Sequence, residues 1–281
     1  MSGGRVRENA VGDHYGRGDL WKRIRAALLA NGLDPNNLEV EDLAPVDQFH
    51  SRGRSATLDL ARLAGLTSKM RVLDLGGGLG GPARVLASEV GCSVEVLDLT
   101  REFCRVGERL TAATGLSDLV SFRHGNALDL PYGDSSFDVV WTQHSAMNIS
   151  DKERLYREVR RVLLPGGHLA MHEVFAAPDT EVRFPVPWAR EPGISHLLPQ
   201  TSVRAILAAS GLQELAWLDE SSAAEKWFRK RAASMPPSPD SPPSLTLSLV
   251  LGPDFVRMFR NQLRNLEEGR ISIARGLFKA V

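Results

Sequence analysis

The sequence predicts an α/β domain, a mostly parallel sheet with helices on both faces. Three observations carry that prediction. From Met70 onward, short apolar runs alternate with amphipathic stretches, the pattern of strand–helix–strand units. A glycine cluster, Gly76-Gly77-Gly78-Leu79-Gly80-Gly81, stands between the first apolar run and a helix that Pro82 can open. Carboxylates then close the first two strands, Asp74 and Asp98, at the edge where open α/β sheets bind their ligands.

Taken in order, residues 1 to about 20 are polar and glycine-rich and contain His14-Tyr15-Gly16-Arg17. A helix is predicted from about Leu20, with Trp21, Ile24, Leu28 and Leu29 on one face and Gly32 and Pro35 ending it. Asn36 to Val46 reads as connection, and a further helix runs from about Ser55 to Ala64. Strands are expected at Val72–Leu75, Ser93–Leu97, Leu119–Arg123, Phe137–Thr142 and His168–Phe175. Helices at Pro82–Val90, Arg101–Thr114 and Asp151–Leu163 separate them, the last stopped by Pro165-Gly166-Gly167. Between Ala176 and Leu198 four prolines and no period mark an excursion over the sheet edge. A helix at Thr201–Ala209, a strand at Leu212–Leu218, helices at Ser221–Ala233 and Pro253–Leu266, and a last strand at Arg270–Phe278 complete the chain, with a proline-rich connection over 235–243. The expected division is a helical lid or extension over 1–66 and one main domain over 67–281, with cap insertions at about 176–198 and 220–268.

The chain is 281 residues long and 43% hydrophobic, enough for a full core. Zero formal net charge gives no basic excess for nucleic acid. Cys92 and Cys104 are too few for a disulfide framework or a tetrahedral zinc site and read as packed thiols. His168 and His172 fall on a strand at a spacing too wide for one ion without other ligands, so no metal is expected. No run reaches the length of a membrane span, and no apolar signal core opens the sequence, so a soluble cytoplasmic protein is expected.

A strand–glycine–helix unit with an acid about twenty residues on suits two adenosine ligands. In a dinucleotide domain Asp98 binds the ribose of NAD; in an S-adenosylmethionine enzyme it binds the ribose of the adenosyl group. Gly76, Gly78 and Gly81 form a literal G-x-G-x-x-G, which alone does not separate them.

Further motifs do. Asp74-Leu-Gly76-Gly-Gly78-Leu-Gly80, Asp98, Gly125-Asn126-Ala127-Leu-Asp129-Leu-Pro131, Ser136-Phe137-Asp138-Val-Val-Trp141 and Leu164-Pro165-Gly166-Gly167 follow in the order of the class I S-adenosylmethionine-dependent methyltransferases. Over about Asp47 to Val174 the sequence resembles that family, although Asn126 stands where Asp is more usual. The resemblance implies a Rossmann-like, seven-stranded sheet closed by an antiparallel hairpin. It implies S-adenosyl-L-methionine as cofactor, with Asp74, Gly76, Gly78 and Gly80 in the glycine loop against its methionine and ribose. Asp98, with the adjoining Leu99, would hold the ribose, and Asn126 and Ala127 the adenine. Asp47-Gln-Phe49-His50-x-x-Gly53-Arg54 and Trp141-Thr142-Gln143-His144 resemble the branch of glycine/sarcosine/dimethylglycine N-methyltransferases and tocopherol-type enzymes. By the same resemblance Tyr15 corresponds to a lid tyrosine and Glu173 to an acidic partner near the acceptor.

Methyl transfer asks mainly for placement of a nucleophile in line with the sulfonium methyl, and for a base only when that nucleophile arrives protonated. The segment after the fourth strand should line the cleft, with Gln143 beside the cofactor and His144 as the base candidate. Met147-Asn148 stand where many O-methyltransferases of this fold carry histidines, which weakens a hydroxyl-deprotonating reading. A small anionic acceptor such as dimethylglycine wants an arginine, and Arg52, Arg54, Arg183 and Arg190 are available. Phe184 to Trp188 equally suits a roof over an apolar acceptor. The expected function is therefore methyl transfer to a small molecule, an amine of the sarcosine type or a phenolic, quinol or other natural-product acceptor. A nicotinamide oxidoreductase, a non-catalytic cofactor-binding scaffold and an RNA or protein methyltransferase are the rivals.

Overall fold

A computed structural model describes residues 19–233 and 245–281. Three helices come first: α1 (Leu20–Ala30), α2 (Val40–Asp47) and α3 (Arg54–Ala64). Strands and helices then alternate through β1 (Arg71–Leu75), α4 (Gly81–Val90), β2 (Ser93–Asp98), α5 (Arg101–Ala113), β3 (Val120–His124), β4 (Phe137–Gln143), α6 (Lys152–Val162) and β5 (Leu163–Ala176). The remainder is α7 (Gln200–Ala209), β6 (Leu212–Asp219), α8 (Ser221–Ala233), α9 (Ser248–Leu251), α10 (Phe255–Glu267) and β7 (Ile271–Ala280).

The seven strands form one sheet in the order β3-β2-β1-β4-β5-β7-β6. β1 to β5 pair in parallel, and β7 runs antiparallel to both β5 and β6. The predicted mostly parallel sheet with a closing antiparallel hairpin is therefore present. Its strand order reverses between β1 and β4, which opens a crevice at the carboxyl ends of those strands. The two-residue period of the strands sorts the core: Leu73, Leu75 and Val140 pack with Leu155, Val159, Val203 and Leu207 from α6 and α7. Val72, Val94, Val139 and Trp141 face the other way, against Leu60, Ala83 and Leu86 from α3 and α4.

Two segments differ from expectation. The stretch read as connection contains α2, which begins with a capping box in which Glu39 N–H donates to Asp42 Oδ2 at 2.9 Å. Pro45 lies inside this helix and argues locally against it. Burial of Leu43 and Val46 against α1 and α5 outweighs that local cost. β5 also starts at Leu163 rather than at His168: Leu163 pairs with Phe137, the register then shifts, and His168 pairs with Val139. Pro165-Gly166-Gly167 is thus a looped irregularity inside the strand rather than a connection before it.

α2 meets α4 through an ion pair with no solvent access. Arg84 Nη2 donates to Asp47 Oδ2 at 2.9 Å, and Arg84 Nη1 donates to Thr111 Oγ1 at 2.9 Å. Removing one partner strands the other charge in the core. Arg84→Met should lower stability by about 3–5 kcal/mol, and Asp47→Leu combined with Arg84→Met should recover much of the loss. Urea denaturation midpoints of the three proteins, at constant m, check this.

Candidate functional site

The crevice is floored by the turn between β1 and α4. Gly78 adopts φ +58° and gives its N–H to Asp98 Oδ2 at 3.0 Å, while Thr100 N–H donates to Asp98 Oδ1 at 2.7 Å. A Cβ on Gly78 would stand 2.9 Å from the Phe49 ring. The left-handed backbone and the close ring both require glycine here. Gly76 and Gly77 are hemmed in similarly by Ser145 and Asp74. The tight fit around these glycines comes first from neighbouring protein. Gly80 does not line the cavity: a Cβ there would meet Phe122 at 2.5 Å, on the packed side of the turn.

Asp74 is buried behind the turn, and its Oδ2 has no hydrogen-bond partner among the described residues. Burial, and then the neighbouring Asp98 carboxylate, push its pKa up to about 7, so that it holds its proton more readily than an ordinary carboxylic acid. Burial also raises Asp98, against the two backbone N–H groups that favour its charged form.

These groups open on a cavity of about 490 Å³. Asp74, Gly76, Gly78, Asp98, Leu99, Asn126, Ala127, Gln143 and His144 all line it. Asn126 Oδ1 accepts from Leu128 N–H at 2.9 Å, which fixes the loop carrying Asn126 and Ala127 along one wall. Away from the glycine turn the lining changes to Met147, Ile149, Pro187, Trp188, Ile194 and Leu251. That apolar end is built by the segment after β4, the excursion after β5 and α9. Asn148 Nδ2 ties it together, donating to Trp188 O at 2.7 Å and Ile194 O at 2.8 Å.

Gln143, His50 and His144 also line the cavity, and His172, outside its lining, packs against both of those rings. Gln143 Oε1 accepts from Trp141 Nε1 at 2.9 Å and Thr57 Oγ1 at 3.0 Å. Tryptophan only donates, so the amide orientation is fixed and Gln143 Nε2, buried, is left without a partner among the described residues. Because Thr57 donates to Gln143, His50 Nε2 must donate to Thr57 Oγ1 at 3.2 Å and Gly53 O at 3.1 Å. His144 lies with its Nε2 3.4 Å from Ser51 Oγ. Ring centroids of His50, His144 and His172 are 5.0–6.3 Å apart. Burial lowers all three, His50 to about 4, so each is neutral at pH 7. Among the described residues no group of three or more His, Cys, Asp or Glu side chains is arranged to hold a metal ion.

Glu173 is not on the cavity wall. It sits beneath the segment after β4, accepting from Ser145 N–H at 3.3 Å and Ala146 N–H at 3.3–3.4 Å, and burial raises it to about 7. Lys152, buried opposite, donates to Ala146 O at 2.6 Å, His196 O at 3.0 Å and Ile149 O. Both shape the segment that carries His144 to Ile149. Tyr15 lies outside the described residues. The four arginines are absent from the cavity: Arg52 pairs with Asp59 and Glu220, Arg54 with Glu41 and Glu89, Arg183 with Glu268, and Arg190 with Asp254.

Two wall residues carry chemistry that the sequence reading did not assign. His50 stood only within a motif. Gln262 interrupts the apolar stripe Phe255, Met258, Phe259, Leu266 of α10, and a polar residue in such a stripe is the sequence signal for it.

Residues 73–171 match the family model described as a methyltransferase domain. Methyltransferase GfsG of Streptomyces halstedii is 33% identical over 167 residues, covering 58% of this chain and 57% of that protein. A glycine/sarcosine/dimethylglycine N-methyltransferase of Actinopolyspora halophila is 39% identical over 123 residues, covering 43% of this chain and 22% of that protein. The chain thus spans well under two thirds of the length of either relative. Among solved structures, geranyl diphosphate C-methyltransferase from Streptomyces coelicolor A3(2) aligns with a TM-score of 0.65 at 18% identity, over 81% of this chain and 79% of that one. The fold is the Rossmann-like methyltransferase fold.

Gly78→Ala should cost about 1–3 kcal/mol through the strained left-handed backbone, with further loss from displacement of Phe49. A lowered thermal midpoint with an altered near-ultraviolet spectrum checks both parts.

Proposed function

We propose that this protein is an enzyme transferring a methyl group from S-adenosyl-L-methionine to a small-molecule acceptor. One observation carries the reading: a single cavity joins the glycine turn and Asp98 to an apolar chamber, with Gln143 and His144 lining it as well. The methyltransferase domain match and the relatives' names support it.

The residues present fit the cofactor. Asp98, held by two backbone donors, keeps lone pairs for ribose hydroxyls. The orphan Asp74 Oδ2 suits a cationic donor such as the cofactor's ammonium. Pro82 brings the amino end of α4 to the cavity, where that end favours a carboxylate. Asn126 and Ala127 form the wall for adenine. When bound, the cofactor would supply an electrophilic methyl on a sulfonium, whose leaving group is the neutral thioether of S-adenosylhomocysteine. The protein then contributes placement and exclusion of water.

His144, neutral and on the cavity wall, can take the proton that a hydroxyl acceptor loses, with the Ser51 hydroxyl as its neighbour. Glu173 acts in this scheme as a positioning residue, through Ser145 and Ala146. Tyr15, with residues 1–66, would close over the cofactor, and 176–198 with 220–268 would cap the acceptor.

S-adenosylhomocysteine should raise the thermal midpoint and NADH should not; a shift with NADH alone would replace the reading with the oxidoreductase. Asp98→Ala should weaken S-adenosylhomocysteine binding at least about tenfold in calorimetry, from the loss of charge-assisted hydrogen bonds, without unfolding the domain.

His144→Ala should lower turnover of a hydroxyl acceptor by about 10²–10⁴-fold while leaving cofactor affinity intact. The base works unprotonated and its pKa lies well below 6.5. His144 should therefore add no fall in a pH profile of kcat/KM near 6.5; a fall around pH 7 belongs to Asp74 and Glu173, which burial raises to about 7, and His144→Ala should leave that fall in place.

A further inference from the structure

We infer that the acceptor is an uncharged, mostly hydrocarbon molecule bearing hydroxyl or carbonyl oxygens, and not a carboxylate-bearing amine of the sarcosine type. The inference rests on the methyl-transfer reading and narrows it. Its basis is the chamber's polar lining. Among the described lining residues no lysine or arginine occurs; the ionisable ones are Asp47, Asp74, Asp98 and histidines. Asp47 is neutralised by Arg84. The remaining fixed charge is therefore negative, which favours a sulfonium and opposes an anionic acceptor.

The cationic groups able to grip a carboxylate are occupied elsewhere. Arg52, Arg183 and Arg190 hold carboxylates outside the cavity. Lys152 is engaged by three backbone carbonyls. A short 3₁₀ turn starts beside the chamber at Ala146–Asn148, but the N–H groups of Ser145 and Ala146 already point at Glu173. The cofactor's own carboxylate has the amino end of α4; a carboxylate on the acceptor has no counterpart among these groups.

What the wall does offer is two neutral amides. Gln143 is 7% exposed, and its Nε2 is fixed without a partner by the Trp141 and Thr57 hydrogen bonds. Gln262 is 2% exposed, lines the same cavity, and makes no side-chain hydrogen bond among the described residues. The Gln143 Nε2 is costly as it stands, buried without a partner, while the Gln262 amide lines the cavity, where a ligand oxygen can bond it. Neutral amides pair well with hydroxyl and carbonyl oxygens, while Met147, Pro187, Trp188, Ile194 and Leu251 supply hydrocarbon contact.

The test uses the full chain saturated with S-adenosylhomocysteine, whose binding is first measured by calorimetry. Prodan, a neutral naphthalene ketone, is then titrated and its emission followed. The expected result is one-to-one binding with blue-shifted emission, weakened about fivefold by Trp188→Ala and about fivefold by Gln262→Leu, the size of one lost contact. Millimolar sarcosine or dimethylglycine should neither displace the probe nor accept label from methyl-labelled cofactor. Gln262→Leu keeps the helix apolar stripe intact and serves if Trp188→Ala fails to fold. Absence of prodan binding to the loaded protein, binding indifferent to both folded variants, or methyl transfer to sarcosine or dimethylglycine would overturn the inference. If S-adenosylhomocysteine itself does not bind, it is the methyl-transfer reading that falls.

Discussion

The site depends on the buried contact between α2 and α4. Asp47 and Arg84 have no access to solvent, and the backbone of Asp47 presses on Gly81, where a Cβ would collide with its carbonyl. A charge pair so deep adds little net stability over an apolar contact, but it tolerates almost no displacement, because a misplaced partner leaves a bare ion in the core. That intolerance fixes where the next residues go. Phe49 lands against Gly78, and His50 and Ser51 arrive beside His144. The segment ahead of the sheet thereby becomes one wall of the cavity at the sheet's carboxyl edge.

A second constraint follows from burial. Neutral forms prevail where ionisable groups are enclosed: His50, His144 and His172 are held uncharged, and Asp74 and Glu173 are raised toward neutrality. The result is a cavity with little fixed charge apart from that of Asp98 and its neighbour. Under the methyl transfer proposed above, such an interior suits a sulfonium charge that disappears as the methyl moves, since little solvent must reorganise.

The segment from His144 to Ile149 is shaped from below and above. Glu173 collects its N–H groups, Lys152 collects its carbonyls, and Asn148 reaches up to the backbone of Trp188 and Ile194. His196 N–H donates to Met147 O at 2.8 Å and closes the same seam. These bonds satisfy backbone groups that a buried loop would otherwise leave unpaired. They also make the apolar chamber and the part of the cavity lined by His144 one connected unit.

The sequence by itself determined what repeats locally: the strand and helix periods from Met70 onward, the glycine turn, and the acids that close β1 and β2. Those signals depend on neighbours a few residues apart, so they can be read without the fold. Where local and distant forces oppose each other, local reading failed: Pro45 hid α2, and Pro165-Gly166-Gly167 hid the first part of β5. Only the tertiary structure decided which side chains face the cavity. Thr57 and Gln143 are 86 residues apart, and Asn148 and Ile194 are 46 apart. It also decided that the available arginines are occupied and that Gln262 faces inward. A hydrogen bond or ion pair across such separations is set by packing that brings the elements together, and no local pattern encodes it.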